Sequence, residues 1–262
     1  MSEIKTITNE EYHTGAGISN SGLGLVLESV SSYKWARSIP SKASKELDIG
    51  TATHSLVLEG EDALYQEFDV MPKIDKRTKE GKATLAAFMS TSEGKKILSD
   101  EEHLLVKEMN RSVQVHPTSK SLFTNGVAEE SIFWTDEATG ELCKIRPDWL
   151  KADENVIVDL KTTADINQIG KSILNFGYRR QAAFYKMGFE AHFGRELERF
   201  IFVFVSKTKV LGRYPVRVVE LKDEDMLKGE MEAKTALMRY HSAVMEDNWI
   251  DVESIELPKW GN

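Results

Sequence analysis

Asp148, Asp159 and Lys161 are the residues whose types and spacing could do chemistry. Asp148 ends the run Ile145-Arg146-Pro147-Asp148, and the other two lie in Val156-Ile157-Val158-Asp159-Leu160-Lys161. Leu142 to Leu150 and Val156 to Lys161 are apolar, β-branched runs, and Lys151 to Asn155 between them has turn composition. This pattern predicts a β-hairpin. With the turn centred between Asp153 and Glu154, Asp148 faces Asp159 across the ladder and Lys161 shares the face of Asp159. Facing like charges cost about 0.2–1 kcal/mol when exposed and more when desolvated. A divalent cation between them removes that cost, and hard oxygen donors favour Mg²⁺ or Mn²⁺ over zinc. The adjacent lysine can then orient or deprotonate a water that attacks a phosphodiester. A solvated hairpin face with an incidental Asp-x-Lys fits the same spacing, so context must decide.

The elements that must position this face follow from periodicity and caps. Ser19 or Ser21 is expected to cap a helix running to about Arg37, and a second helix is expected over about 48–58. Ser99-Asp100-Glu101-Glu102 is a capping-box pattern, which predicts a helix over 100–115 that stops before Pro117. Glu130 to Trp134, a turn over 135–140 and the hairpin together predict a three-strand antiparallel meander. A long helix is expected over about 167–192, ended by Gly194, with Gln181 and Tyr185 one turn apart on one face. Arg199 to Ser206 and Arg213 to Leu221 read as strands, Pro215 placing the second at an edge or bulge. A last helix spans Asp223 to about Met245, with Leu227, Met231, Leu237, Met238, His241 and Val244 as its expected core-facing stripe. The order predicts an α/β core whose sheet is backed by helices. No repeat or linker divides it, so 1–262 reads as one domain, mainly helical over 1–118 and carrying the sheet over 119–262.

Composition narrows the classes. The chain has 262 residues, 41% hydrophobic and 29% charged, which is ordinary for a globular protein. It lacks a run of about 18 apolar residues and a signal-peptide core near Met1, so a cytoplasmic protein with no membrane association is expected. Cys143 is the single cysteine, which excludes intrachain disulfides and four-cysteine metal sites. A net charge of −8 argues against indiscriminate nucleic-acid binding, yet local basic clusters remain compatible with a DNA path. Candidate contacts are Lys34, Arg37, Lys76, Arg77, Arg179 and Arg180.

An ordered set of separated motifs supplies the context. Gly50-Thr51-Ala52-Thr53-His54, Glu129 with Ser131, Arg146-Pro147-Asp148, Asp159-Leu160-Lys161-Thr162-Thr163, and Gln181 with Tyr185 occur in that order. Together with Ile18-Ser19-Asn20-Ser21-Gly22-Leu23, Gly212 to Val216 and Leu257-Pro258-Lys259-Trp260, they resemble the RecE (exodeoxyribonuclease VIII) nuclease-domain family. Its wider class is the PD-(D/E)xK nucleases of the RecB type. The resemblance implies a restriction-endonuclease-like core, with a mixed central sheet flanked by helices and a helical N-terminal part. It further implies a Mg²⁺-dependent enzyme, Mn²⁺ substituting, that degrades the 5′-ended strand of double-stranded DNA ends. The 3′ single strand left behind would feed annealing-type recombination with a phage or prophage partner of the RecT kind. Ring-shaped homo-oligomers are implied too, a tetramer favoured over a trimer.

Matched to the family, Asp148 and Asp159 are the metal-binding acids, the Leu160 carbonyl completes the ligand set, and Lys161 positions the attacking water. His54 is matched as a ligand, Glu129 as a further acid with Glu130 its alternative, and Gln181 and Tyr185 as the helix motif beside the site. How many ions they hold stays open. The length suggests a stand-alone nuclease domain. An endonuclease of the same class, or an inactive DNA-end-binding recombination protein, are the alternatives.

Overall fold

The computed structural model describes residues 2–39, 45–75 and 77–250; Lys76 and the Leu257–Trp260 motif lie outside them. The N-terminal part begins with β1 (Ser2–Lys5), α1 (Asn9–Thr14), α2 (Asn20–Glu28) and α3 (Val30–Ala36). Next come α4 (Lys45–His54), a π-helical turn (Ser55–Glu59), α5 (Glu61–Glu67) and β2 (Phe68–Val70). It continues through α6 (Lys79–Thr91), β3 (Lys96–Leu98), α7 (Asp100–Val115) and α8 (Pro117–Leu122). The remainder holds β4 (Val127–Ala128), β5 (Ser131–Thr135), β6 (Leu142–Ile145), β7 (Trp149–Lys151) and β8 (Val156–Thr163). It ends with α9 (Ile169–Asn175), α10 (Tyr178–Phe193), β9 (Arg199–Ser206), β10 (Val216–Glu220) and α11 (Asp223–Met245).

A five-stranded mixed sheet of order β10-β9-β8-β7-β4 forms the centre, β8 and β9 running parallel and the other pairs antiparallel. Both faces of its middle strands are buried. Ile157, Phe200, Phe202 and Phe204 pack toward α2, α10 and α11, while Val156, Val158, Leu160, Ile201, Val203 and Val205 pack toward α4 and α7. The period-2 alternation of side chains therefore feeds two helical layers. Among the described residues, no helix is long and apolar enough to cross a membrane.

Several sequence expectations hold to the residue. Ser99 makes the capping box of α7, β9 and the start of α11 lie where expected, β10 is an edge strand, and Gly194 ends α10 in the left-handed conformation. Others need correction. The run Leu142–Leu150 is two strands: β6 joins β1 and β5 in a separate three-stranded sheet, whereas β7 joins the central one. The expected meander is therefore divided between sheets, because Pro147 has no N–H to donate and the chain turns away there. The helix to Arg37 is broken at Ser29, whose hydroxyl caps α3. The long helix after Lys161 is likewise broken, at Gly177 (φ 64°), where an added Cβ would lie 2.6 Å from the Arg180 guanidinium. The helix expected over about 48–58 starts at Lys45 and passes into the π-helical turn.

The stripe assigned to α11 is also corrected. Leu237 is buried, but Leu227, Met231 and Met238 are each more than half exposed. The buried face is instead Gly229, Ala233, Ala236, Leu237 and Ala243. Small side chains let α11 approach α10 closely: a Cβ on Gly229 would come within 2.2 Å of the Arg179 carbonyl oxygen. Close backbone approach outweighs hydrophobicity in deciding which face of this helix is covered.

Candidate active site

The site occupies a notch in the central sheet. β7 pairs with β8 only as far as Trp149↔Val158, after which the Arg146-Pro147-Asp148 turn carries the chain off to β6. This is the hairpin register read from sequence, and it brings Asp148 to the open edge of β8 opposite Asp159. The Leu160 N–H, lacking a strand partner on that side, donates to Asp148 Oδ2 at 2.7 Å. Asp159 is fully buried on the neighbouring face, with Lys161 Nζ 2.5 Å from its Oδ1 and the Gln181 amide donating to its Oδ2 at 2.6 Å. Gln181 reaches down from α10, so the face of that helix bearing Gln181 and Tyr185 is the one laid over the sheet. Tyr185 stops short of the acids; its hydroxyl donates to the Arg146 carbonyl at 3.2 Å.

Glu129 arrives by an unusual backbone route. Its φ is 55°, the left-handed region that non-glycine residues seldom enter. The residue follows β4 directly and its N–H donates to the Asp148 carbonyl at 3.3 Å. Glu130 lies against another cavity, with Asn125, Val127 and Asp153, so Glu129 is the acid that faces the site. Arg146 holds Glu129 in place: its Nε lies 3.0 Å from Oε2 and 2.9 Å from the Glu129 carbonyl, and another nitrogen donates to the Ile7 carbonyl at 2.6 Å. His54 comes from the last turn of α4, just before the π-helical turn, with Nδ1 3.5 Å from Asp148 Oδ2. Such turns are often found at functional positions.

Crowded carboxylates in a desolvated site cannot all ionise freely. Burial and then Asp148 raise Glu129 to about 8, although Arg146 opposes them. Burial, together with Asp148 and against Lys161, raises Asp159 to about 6, and burial raises Asp148 as well. Burial and Lys161 lower His54 to about 4, leaving a neutral imidazole able to ligate. Burial disfavours the Lys161 ammonium, but Asp159 and Asp148 outweigh it and raise its pKa.

The residues present fit a hard divalent cation. Donor atoms of His54, Glu129 and Asp148 lie within 4.8 Å of one another. Asp159 Oδ1, buried, receives no well-directed hydrogen bond despite its nearness to the Lys161 ammonium. An oxygen-rich set with one imidazole suits Mg²⁺ or Mn²⁺.

Two neighbouring residues escaped the sequence reading. Arg146 belongs to the Arg146-Pro147-Asp148 motif, but only its contacts with Glu129 and Ile7 reveal its role. Tyr178, whose ring centre is 4.9 Å from Lys161 Nζ, gave no signal beyond following Gly177. The expected DNA contacts mostly have partners within the chain. Lys34 pairs with Asp247, Arg77 with Asp75 and Arg179 with Glu232, while Arg37 donates to the His13 and Thr14 carbonyls and Arg180 to Asn20.

A mixed sheet flanked by helices, with two aspartates and a lysine gathered at a break in it, defines the PD-(D/E)xK nuclease class, whose members use divalent metals. The chain belongs to the PDDEXK-like domain of unknown function (DUF3799) family, whose profile matches residues 29–257. A crystal structure of a protein from Eubacterium rectale, named provisionally as an exonuclease, shares the fold with a TM-score of 0.63 at 17% identity; the match covers 96% of this chain and 97% of that one. A phage-related exonuclease from Haemophilus somnus 129PT matches at 13% identity with a TM-score of 0.34, over 75% of this chain and 95% of that one. No curated protein matches the chain in sequence.

Proposed function

We propose that this protein is a divalent-metal-dependent exodeoxyribonuclease that degrades the 5′-ended strand of duplex DNA and leaves a 3′ single strand for annealing-type recombination. The observation that carries the hydrolytic reading is the convergence of Asp148, Asp159, Glu129, His54 and Lys161 on one notch. The exonuclease polarity rests on the RecE-like motif set, which also favours Mg²⁺ over other ions. Asp148, Asp159, Glu129 and His54, with the Leu160 carbonyl, would hold the cation. A bound divalent ion supplies Lewis-acid polarisation of the phosphate and a more acidic water.

The chain's own groups do the rest. Gln181 and the Leu160 N–H hold one oxygen of Asp159 and one of Asp148; the other Asp148 oxygen is left for ligation, while the other Asp159 oxygen sits against the Lys161 ammonium. Lys161, kept protonated by its carboxylate neighbours, stabilises the charge that develops on the phosphate oxygens. Arg146 keeps Glu129 turned inward, and Tyr185 fixes the turn from which Asp148 projects by binding the Arg146 carbonyl.

A homo-oligomeric ring, tetrameric by resemblance, belongs to the proposal, supported by the exposed apolar residues Leu227, Met231, Met238 and Met245 along α11. A RecT-type annealing protein is the proposed partner.

Linear duplex labelled at the 5′ or 3′ terminus, incubated with Mg²⁺, tests the activity. Mononucleotides should be released from the 5′-ended strand, covalently closed circles should survive, and Asp159→Ala should leave both substrates intact. Cutting of the circle would replace the proposal with an endonuclease, and no cutting under any divalent ion would end it. A solution mass of one chain would refute the ring.

A further inference from the structure

Beyond the carboxyl ends of the parallel strands β8 and β9 lies a second cavity of about 420 Å³, joined to the site through Tyr178, which lines it and carries the Lys161 ammonium. Crevices at this end of parallel strands are where α/β sheets bind ligands. Thr163, two residues past Lys161 on the same strand face, forms one wall, and Lys171 and Asn175 of α9 form another. Phe176 and Tyr178 stand where α9 breaks from α10, their rings 5.7 Å apart and inclined by 36°. Tyr178 also carries the Lys161 ammonium at 4.9 Å, so a single ring separates the catalytic candidate from this cavity.

The wall chemistry is specific. Phe176 is 64% exposed, while Tyr178 beside it packs on the buried Phe204, which leaves the Phe176 aromatic face open to a flat ligand. Lys171 and Lys207 line the same space, and among the described residues neither ammonium has an ion-pair partner. Asp165, the acid on the wall, is tied to the Asn167 N–H at 2.9 Å. Aromatic face, free ammonium groups and amide side chains together match a nucleotide: a base to stack, a phosphate to neutralise, and base edges to hydrogen-bond. The volume falls in the range of small-ligand sites.

We infer that this cavity is a nucleotide-binding subsite, which takes the nucleotide next to the scissile phosphate and holds it as a nucleoside monophosphate after cleavage. Its base stacks on Phe176 and its phosphate is neutralised by Lys171 and Lys207. The inference rests on the nuclease reading, but binding can be measured without catalysis.

The probe is 2-aminopurine deoxyriboside 5′-monophosphate, whose fluorescence is quenched on stacking, added to the full chain in a metal chelator. Saturable quenching is expected, weakened about tenfold by Phe176→Ala and retained by Phe176→Trp. Lys171→Glu should weaken it most at low salt. Deoxyribose 5-phosphate, lacking a base, should compete poorly. Absence of quenching at millimolar protein, equal binding by Phe176→Ala, or equal competition by deoxyribose 5-phosphate would overturn the subsite. Melting curves verify that the variants fold. Digestion of linear duplex by a protein that fails to bind the probe refutes the subsite alone, and probe binding without digestion refutes the nuclease reading alone.

Discussion

Glu129 offers the sharpest quantitative test, because its charge should set how stability responds to pH. Burial and Asp148 raise it from 4.5 to about 8, so the folded chain holds a proton there that the unfolded chain has released. A carboxyl whose folded pKa exceeds its unfolded one contributes stability that is lost as pH rises through that interval. Asp159, raised to about 6, acts the same way, but only below pH 6.5. His54, lowered from 6.5 to about 4, acts in the opposite direction over nearly the same range. Their effects oppose each other there, and part of the His54 effect persists above pH 6.5, where an unfolded imidazole is still half protonated. Lys144, lowered by burial to about 8, is half deprotonated in the folded chain at pH 8 while the unfolded chain keeps its proton, so it adds stability as pH rises toward 8 and opposes Glu129. Between pH 6.5 and 8.0 Glu129 has the largest effect, but it is itself half ionised at pH 8 and is opposed by the lowered His54 and Lys144, so the net loss is on the order of 1 kcal/mol. In a chain of this length that lowers Tm by roughly 2–4 °C.

The measurement is thermal melting in a chelator at constant ionic strength across that window. The wild type should fall by the stated amount, and Glu129→Gln should stay flat or rise slightly, because the lowered His54 and Lys144 then act alone. Mn²⁺ should reverse the wild-type trend, because an ionised carboxylate is the better ligand and binding stabilises the fold. A flat wild-type profile, or an equal slope in Glu129→Gln, would refute the claim that this carboxyl is buried among like charges.

Three further outcomes are expected. Lys161→Met should lower kcat by roughly 10²–10³ while Mn²⁺ binding persists in calorimetry, since the ammonium acts on developing charge. Gln181→Leu leaves a buried Asp159 oxygen unsatisfied and should destabilise the fold by about 1–3 kcal/mol in urea titration. Gly229→Ala forces a methyl against the Arg179 carbonyl and should cost about 1–3 kcal/mol by the same method, although it lies away from the notch.

Much of the site was legible because charge and local periodicity are local properties. Asp148 opposite Asp159 followed from the turn composition alone, and the Trp149↔Val158 pairing bears out that register. Gln181 and Tyr185 on one helix face beside the site followed from helical spacing combined with the motif set, whereas the bond from Gln181 to Asp159 appears only in the fold. What could not be read was which backbone leaves its expected path. Alternation along a strand predicts that Glu129 or Glu130 faces inward, but a left-handed φ at Glu129 decides the choice, and it arises where the chain leaves β4. The exposed methionines of α11 misled for a related reason: hydrophobicity marked one stripe, whereas the small residues that allow helix contact marked another.

By itself the sequence determined the chemistry available: two aspartates and a lysine placed by a hairpin, a histidine within a helix, and a strand-and-helix order that makes an α/β core. Only the tertiary structure decided that β6 and β7 belong to different sheets, that Arg146 turns Glu129 inward, and that Tyr178 sits beneath Lys161. Those features depend on contacts between residues remote in the chain, such as Arg146 with Ile7 and Asp159 with Gln181, and local propensity carries no record of them.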